Sequence, residues 1–234
     1  MGRIEQLAEG VTLYLGDARD LLPTLGGVVA TDPPYGIGFG YASHQDTESA
    51  FTDYMRLLVG RPAAVLQYPE EMMRLIVPVL GAPDEVLAWV YGSNLPRQLR
   101  LWGFWGCDVN PARSKQPARN PESAKVQSLI VSGYDWREYP QVKNKSPEKT
   151  AHPCQLPEDV AGWVLDCIAA DEICDPFMGS GTMGVEAVRR GRGFKGIELD
   201  PGYFEIACRR IEAALNQPDF FVETHQQAKQ EAFL

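Results

Sequence analysis

Apolar residues in this chain fall in short runs separated by turn residues. Val11–Leu15 (VTLYL) reads as a strand closed by Gly16 and Asp17, and residues 21–25 read as a helical turn after it. Val28–Thr31 (VVAT) is apolar on both faces and stops at Asp32-Pro33-Pro34-Tyr35-Gly36. That fits a buried parallel strand, ended by prolines that cannot continue a hydrogen-bond ladder. Residues 36–51 are polar and glycine-bearing and read as a loop. Residues 70–80 place Met72, Met73, Ile76 and Leu80 at helical spacing; residues 86–91 (VLAWVY) read as a strand; residues 94–102 read as a short helix capped by Ser93 or Asn94. Residues 110–125, with three prolines, are expected to be loop, 126–132 (VQSLIVS) strand, and 135–151 loop. Val160, Val164, Leu165 and Ile168 share one helical face within 157–169. Ile173 and Cys174 lead as a strand into Asp175–Thr182, and a helix follows to Arg190. Residues 194–199 read as a strand, and 203–215 as a helix with Ala207, Ile211 and Leu215 in a stripe. Strands alternating with helices predict an α/β fold with a mainly parallel sheet. At 234 residues the chain fits one domain, 1–234, with 36–68 and 110–150 as loop or target-recognition insertions.

Composition narrows the class only slightly. Hydrophobic residues at 44% and charged residues at 23% suit a globular chain rather than a disordered one. No stretch approaches the ~18 apolar residues that span a bilayer, and the N-terminus lacks a secretory pattern, so a cytoplasmic location is expected. Five scattered cysteines with no C-x-x-C suggest neither a disulfide framework nor a zinc site, and no metal is expected. The net charge of −9 argues at first against a nucleic-acid partner. It is unevenly spread: residues 93–149 hold 10 basic and 5 acidic side chains, against net −7 on either side. A basic island can present one positive face to phosphates; a solvated, Lys- and Arg-rich loop region would look the same.

Two constellations carry chemistry. Asp175-Pro-Phe-Met-Gly-Ser-Gly-Thr182 sits between a strand and a helix, with Gly179 and Gly181 permitting turn dihedrals and close backbone approach. Glu198 follows about 20 residues on, at a strand end, where a carboxylate can accept hydrogen bonds from ribose hydroxyls. Neither G-x-G-x-x-G nor G-K-S/T is present, which favours a nucleoside cofactor without phosphates. The second is Asp32-Pro33-Pro34-Tyr35. Asp32 and the Pro33 carbonyl can each accept a hydrogen bond from one amino group, building lone-pair density on its nitrogen. Tyr35 offers a face on which a base can stack. Alone, either stretch could be an ordinary turn.

Together these residues resemble the amino-directed (N6-adenine or N4-cytosine) DNA methyltransferases. Asp32–Tyr35 looks like their catalytic motif and Asp175–Thr182 like their S-adenosylmethionine loop. Residues 151–157 (AHPCQLP) are similar to the H-P-x-[QE]-K-P stretch before that loop, with Leu156 where the family has lysine. Gly16-Asp17, Gly196-Ile197-Glu198 and Tyr203…Ala207…Arg210 resemble further family segments. The order, catalytic motif before cofactor loop, is that of the circularly permuted β group. The resemblance implies a Rossmann-like class I methyltransferase fold, with a seven-stranded sheet and one antiparallel strand. It implies a catalytic set of Asp32, Pro33, Pro34 and Tyr35. The cofactor set would be Asp17, His152, Gln155, Asp175, Phe177, Gly179, Ser180, Gly181, Thr182 and Glu198. It also implies duplex DNA as partner, with the target base rotated out of the helix. Adenine is the preferred base, because Asp heads the tetrapeptide more often in adenine enzymes, with cytosine N4 as the alternative. An RNA methyltransferase or a non-catalytic nucleic-acid-binding subunit are the rival classes. Arg97, Arg100, Arg113, Lys115, Arg119, Lys143 and Lys145 are the candidate DNA contacts, and a homodimer is plausible for such a small recognition region.

Overall fold

The computed structural model describes residues 2–40, 46–92, 97–110, 135–143, 146–151 and 154–217. The expected strand at 126–132, and the site candidates Arg113, Lys115, Arg119, Lys145 and His152, lie outside these residues.

Nine strands are described: β1 (Ile4–Ala8), β2 (Val11–Leu15), β3 (Val28–Thr31), β4 (Ala63–Gln67), β5 (Glu85–Val90), β6 (Leu99–Trp105), β7 (Trp136–Glu138), β8 (Glu172–Asp175) and β9 (Gly193–Glu198). They form one sheet in the order β1-β2-β9-β8-β3-β4-β6-β5-β7. The central strands β2, β9, β8, β3 and β4 are mutually parallel, whereas β6 runs antiparallel to β4 and β5, and β1 antiparallel to β2. The sheet thus exceeds the expected seven strands. β1 adds a hairpin edge (IEQLA) too polar to announce itself, and β7 is only three residues long.

The helices are α1 (Ala18–Leu21), α2 (Glu48–Arg56), α3 (Pro69–Glu71), α4 (Val77–Leu80), α5 (Glu158–Cys167), α6 (Thr182–Arg189) and α7 (Pro201–Leu215). Between α3 and α4 the helix widens into a π turn, Met72–Ile76, where the Val77 N–H reaches back to the Met72 carbonyl. Pro78 follows at once, and a proline without an N–H is accommodated where the ordinary ladder is already loosened. Helices α5, α6 and α7 cover one face of the sheet, burying Trp163, Val185 and Ile211. α1, α2 and the π turn cover the other with Ala18, Phe51, Met55 and Ile76. The result is a three-layer α/β architecture of Rossmann type.

Three sequence expectations need correction. Residues 94–102 were expected to be helical, but residues 99–105 form β6, paired along its length with both β4 and β5. The Leu–Arg–Leu–Trp pattern serves equally a strand buried on both faces, which is what those two neighbours make of it. The loop expected over 36–51 gives way to α2 at Glu48, whose N-cap Thr47 accepts from the Ala50 N–H at 3.3 Å. Residues 63–67, expected within an insertion, form β4, fully buried in the middle of the sheet.

Candidate active site

Strands β8 and β3 are neighbours although Val28 and its partner Ile173 lie far apart in the sequence. Their carboxyl ends therefore meet, and these ends carry Asp175 and Asp32. The two motifs are joined by a buried hydrogen bond: the Thr31 hydroxyl donates to Asp175 Oδ1 at 2.7 Å. The Phe177 N–H donates to the same oxygen at 3.1 Å, so one carboxyl ties the catalytic strand to the glycine loop. Both motifs open onto one pocket at the carboxyl edge, the place where open α/β sheets bind ligands.

The cofactor side of the pocket is shaped by the loop after β8. The Gly179 N–H donates to Glu198 Oε2 at 2.9 Å and the Asp200 N–H to Glu198 Oε1 at 2.8 Å. One backbone donor on each oxygen fixes the carboxylate and leaves each oxygen a further lone pair. Burial pushes the Glu198 carboxyl up to about 7, against those backbone hydrogen bonds. Burial likewise raises Asp175 to about 7, opposed by the Thr31 and Phe177 hydrogen bonds. Arg210 on α7 donates to the Ser180 carbonyl at 2.7 Å and to the Thr182 hydroxyl at 3.1 Å, pinning the loop from behind; the sequence reading gave that arginine no task.

Phe177, Gly179, Ser180, Thr182 and Asp17 all line the pocket. Asp17 also caps α1 and is held below the usual carboxylate range by its hydrogen bonds to Arg19. Gly181 does not line it. Its φ of 81° is left-handed, and a Cβ there would stand 2.9 Å from the Ala207 Cβ, so this glycine lets α7 pack closely. Gln155 borders the pocket, but its amide is spent on the protein. Its oxygen accepts from the Thr150 N–H and hydroxyl, both at 2.9 Å, and its nitrogen donates to the Glu148 carbonyl at 2.7 Å. It braces the loop before α5.

On the other side, the Tyr35 hydroxyl donates to Asp32 Oδ1 at 2.6 Å. Burial raises the Asp32 carboxyl, while Arg100 and the Tyr35 hydroxyl pull it down. Gly36 opens a loop gathered around Asp46, whose carboxylate accepts the backbone N–H groups of Gly36, Ile37 and Phe39 at 2.6, 3.1 and 3.0 Å. Ile37 and Phe39 are held partly exposed at the pocket rim. Asp46 is the larger omission of the sequence reading; an acidic residue ten positions after a Gly gives no local sign of such a role.

The expected DNA contacts separate. Lys143 is exposed. Arg97 is half exposed, pairs with Glu71 at 3.0 Å and lies over the Tyr68 ring. Arg100 is not at the surface: it forms part of the pocket wall, because β6 is an interior strand rather than a surface helix. Five carboxylates, Asp17, Asp32, Asp46, Asp175 and Glu198, and one guanidinium, Arg100, line the pocket among the described residues. Such a surplus of negative charge suits a cationic ligand and repels phosphates.

Fold and pocket together define a Rossmann-like protein of the class I methyltransferase type. The family model for DNA methylases matches residues 93–209, and the chain belongs to this family of N6- and N4-directed enzymes. The type II methyltransferase M.ScaI of Streptomyces caespitosus is 26% identical over a 248-residue alignment, covering 87% of this chain and 82% of that protein. The DNA adenine methyltransferase YhdJ of Escherichia coli K12 is 35% identical over 86 residues, 36% of this chain and 29% of its own length. Among solved structures, the M1.HpyAVI–SAM complex superposes with a TM-score of 0.57 at 20% identity, covering 85% of this chain and 98% of that one. No helix among the described residues is long and apolar enough to cross a membrane.

Proposed function

We propose that this protein methylates the exocyclic amine of a base in duplex DNA, with adenine N6 as the target and S-adenosylmethionine as the methyl donor. The observation that carries this reading is the meeting of Asp32 and the Gly179 loop at one acidic pocket, tied by the Thr31–Asp175 hydrogen bond. The donor set fits that cofactor: Glu198 faces the pocket with lone pairs for ribose hydroxyls, and the surrounding carboxylates suit a sulfonium. When bound, S-adenosylmethionine supplies a methyl group whose bond to sulfur breaks with both electrons passing to sulfur, so the amine needs no prior activation by a metal.

The chain's task is placement. Asp32 and the Pro33 carbonyl accept the two amine N–H groups and direct the nitrogen lone pair outward. Tyr35, stiffened by Pro33 and Pro34, braces Asp32 through its hydroxyl and offers its ring to the base. Phe177, Gly179, Ser180 and Thr182 line the cofactor side, with Asp17 toward the adenine moiety and Gln155 bracing the loop beside the pocket. After transfer the nitrogen carries a surplus proton, and Asp32 is the nearest base to receive it. Arg97, Arg113, Lys115, Arg119, Lys143 and Lys145 are the phosphate contacts of this reading, and Ile37 and Phe39 stand where a flipped base must pass. Adenine is preferred because Asp heads the tetrapeptide and because the relative YhdJ acts on adenine.

The test is transfer of labelled methyl to plasmid DNA by the wild type and by Asp32→Ala, followed by nucleoside analysis. N6-methyladenine from the wild type alone is expected. N4-methylcytosine would replace the base assignment, and no incorporation into any nucleic acid would overturn the enzymatic reading.

A further inference from the structure

Arg100 occupies an unusual position for a cation. Its guanidinium carbon lies 5.1 Å from the ring centre of Tyr35, 5.1 Å from Tyr68, 5.2 Å from Trp89 and 5.8 Å from Tyr91. Its side chain is only 12% exposed. Yet its five N–H donors are barely used. Nε is shielded from solvent with no hydrogen-bond partner among the described residues, and Nη2 reaches the Tyr68 hydroxyl only at 3.5 Å. Nη1 stands 3.9 Å from Asp32 Oδ2, close enough for charge attraction but too far for a hydrogen bond.

A buried cation is costly unless charge or polarisable faces compensate it. Aromatic rings supply attraction through their faces without drawing the guanidinium into a directed hydrogen bond. The cage therefore fixes the cation one step behind Asp32. On the carboxylate, Oδ1 is occupied by the Tyr35 hydroxyl, and Oδ2 has a cation nearby but no N–H or O–H placed on it by the described residues.

We propose that Arg100 is a positioning residue for amine methylation: from its aromatic cage it holds Asp32 as a carboxylate while leaving Oδ2 free to receive the target N–H. This deepens the amino-methyltransferase reading and rests on it. Had the guanidinium closed to hydrogen-bond distance, it would compete with the amine for the same oxygen. Were it absent, burial would favour a protonated and weakly accepting Asp32.

The groups that share the pocket with Asp32 come from several elements. Tyr35 belongs to its own turn, Arg100 to β6, Asp175 to β8 and Cys154 to the segment before α5. Tyr68 and Tyr91 surround the guanidinium itself. Burial opposes the charge on Arg100, but the surrounding Tyr35, Asp32 and Tyr68 outweigh it and hold the guanidinium protonated. Burial raises Cys154, keeping its thiol neutral, and Asp175 is raised chiefly by burial with the Asp32 charge adding to it. Among the described residues, Arg100 is the cation that acts on Asp32.

The experiment titrates the Asp32 carboxyl directly, by carbon NMR of protein labelled at aspartate side chains, the signal being assigned by its loss in Asp32→Asn. Wild type, Arg100→Met and Arg100→Lys are compared, with Arg100→Gln in place of the methionine variant if that one does not fold. Losing a cation at this distance should raise the Asp32 midpoint by ~1–3 pH units. Lysine should restore most of the difference. The acidic limb of the single-turnover methylation rate should move by the same amount. An unchanged Asp32 midpoint in folded Arg100→Met or Arg100→Gln overturns the proposal. Because the NMR titration needs no turnover, inactivity of the wild type on DNA would count against the enzymatic reading without obscuring this one.

Discussion

Glu198 shows how much a single side chain can carry here. Both of its oxygens take a backbone N–H, from Gly179 and Asp200, so the residue builds the cofactor loop as well as facing the pocket. Glu198→Gln must turn an amide NH₂ toward one of those N–H groups, losing a charge-assisted hydrogen bond. At ~1.5–3 kcal/mol for such a bond, denaturant unfolding of the free variant should show a loss of that size, and S-adenosylmethionine binding by calorimetry should weaken with it as the loop loses its anchor. The buried carboxyls also set a pH dependence. Asp175 and Glu198 both titrate near 7 in the free protein, and a bound cation favours their ionised forms. Binding should therefore release protons and tighten between pH 6 and 8. The neutral S-adenosylhomocysteine should show a smaller dependence, as read by calorimetry in buffers of different ionisation enthalpy. Asp175 and Glu198 were legible as pocket residues because each ends a strand beside turn residues. Arg100 was misread because an arginine inside a basic stretch looks like a phosphate contact until the strands on both sides of it are known.

At the scale of elements, the motif-bearing strands were the most readable. VTLYL and VVAT are short apolar runs with abrupt ends, and β2 and β3 begin and end where those runs do. AAVLQ was not readable as β4, since two alanines give little β preference and only the sheet on either side makes the segment a strand. The helix α2 was hidden because its amphipathic stretch begins inside glycine-rich, polar sequence. Glycines separate into two kinds on the same grounds. Gly181 and Gly38 both have left-handed φ, 81° and 78°, but a Cβ at 181 meets α7 at 2.9 Å whereas one at 38 meets nothing. Gly38→Ala should cost only the backbone strain, ~1–2 kcal/mol. Gly181→Ala adds ~1–3 kcal/mol of overpacking between α6 and α7. Thermal unfolding should rank them in that order, and Gly181→Ala should also weaken cofactor binding by displacing the loop that Arg210 anchors.

For the whole molecule, the buried carboxyls make the free protein a compromise between folding and ligand binding. Their folded values of about 7 lie above the ordinary 3.8 and 4.5, so between roughly pH 4 and 7 the folded state binds more protons than the unfolded one. Their contribution to stability is full below that window and is lost as pH rises through it. Unfolding midpoints of the free protein should fall from pH 5 to pH 8. Asp175→Asn, which cannot ionise, should flatten part of that slope, and S-adenosylmethionine should offset it at the alkaline end. The sheet order has a further consequence for how the polypeptide is made. β2 has its interior neighbour in β9 and β3 has one of its two in β8, so strands synthesised within the first 31 residues wait for partners that begin at residue 172. Contacts that span so much sequence form late and slowly. During synthesis, one edge of β2 and one edge of β3 stay unpaired until β9 and β8 have emerged. The segment that completes the cofactor pocket is therefore also the one that closes the centre of the sheet, so ligand binding reports on the last long-range pairing to form.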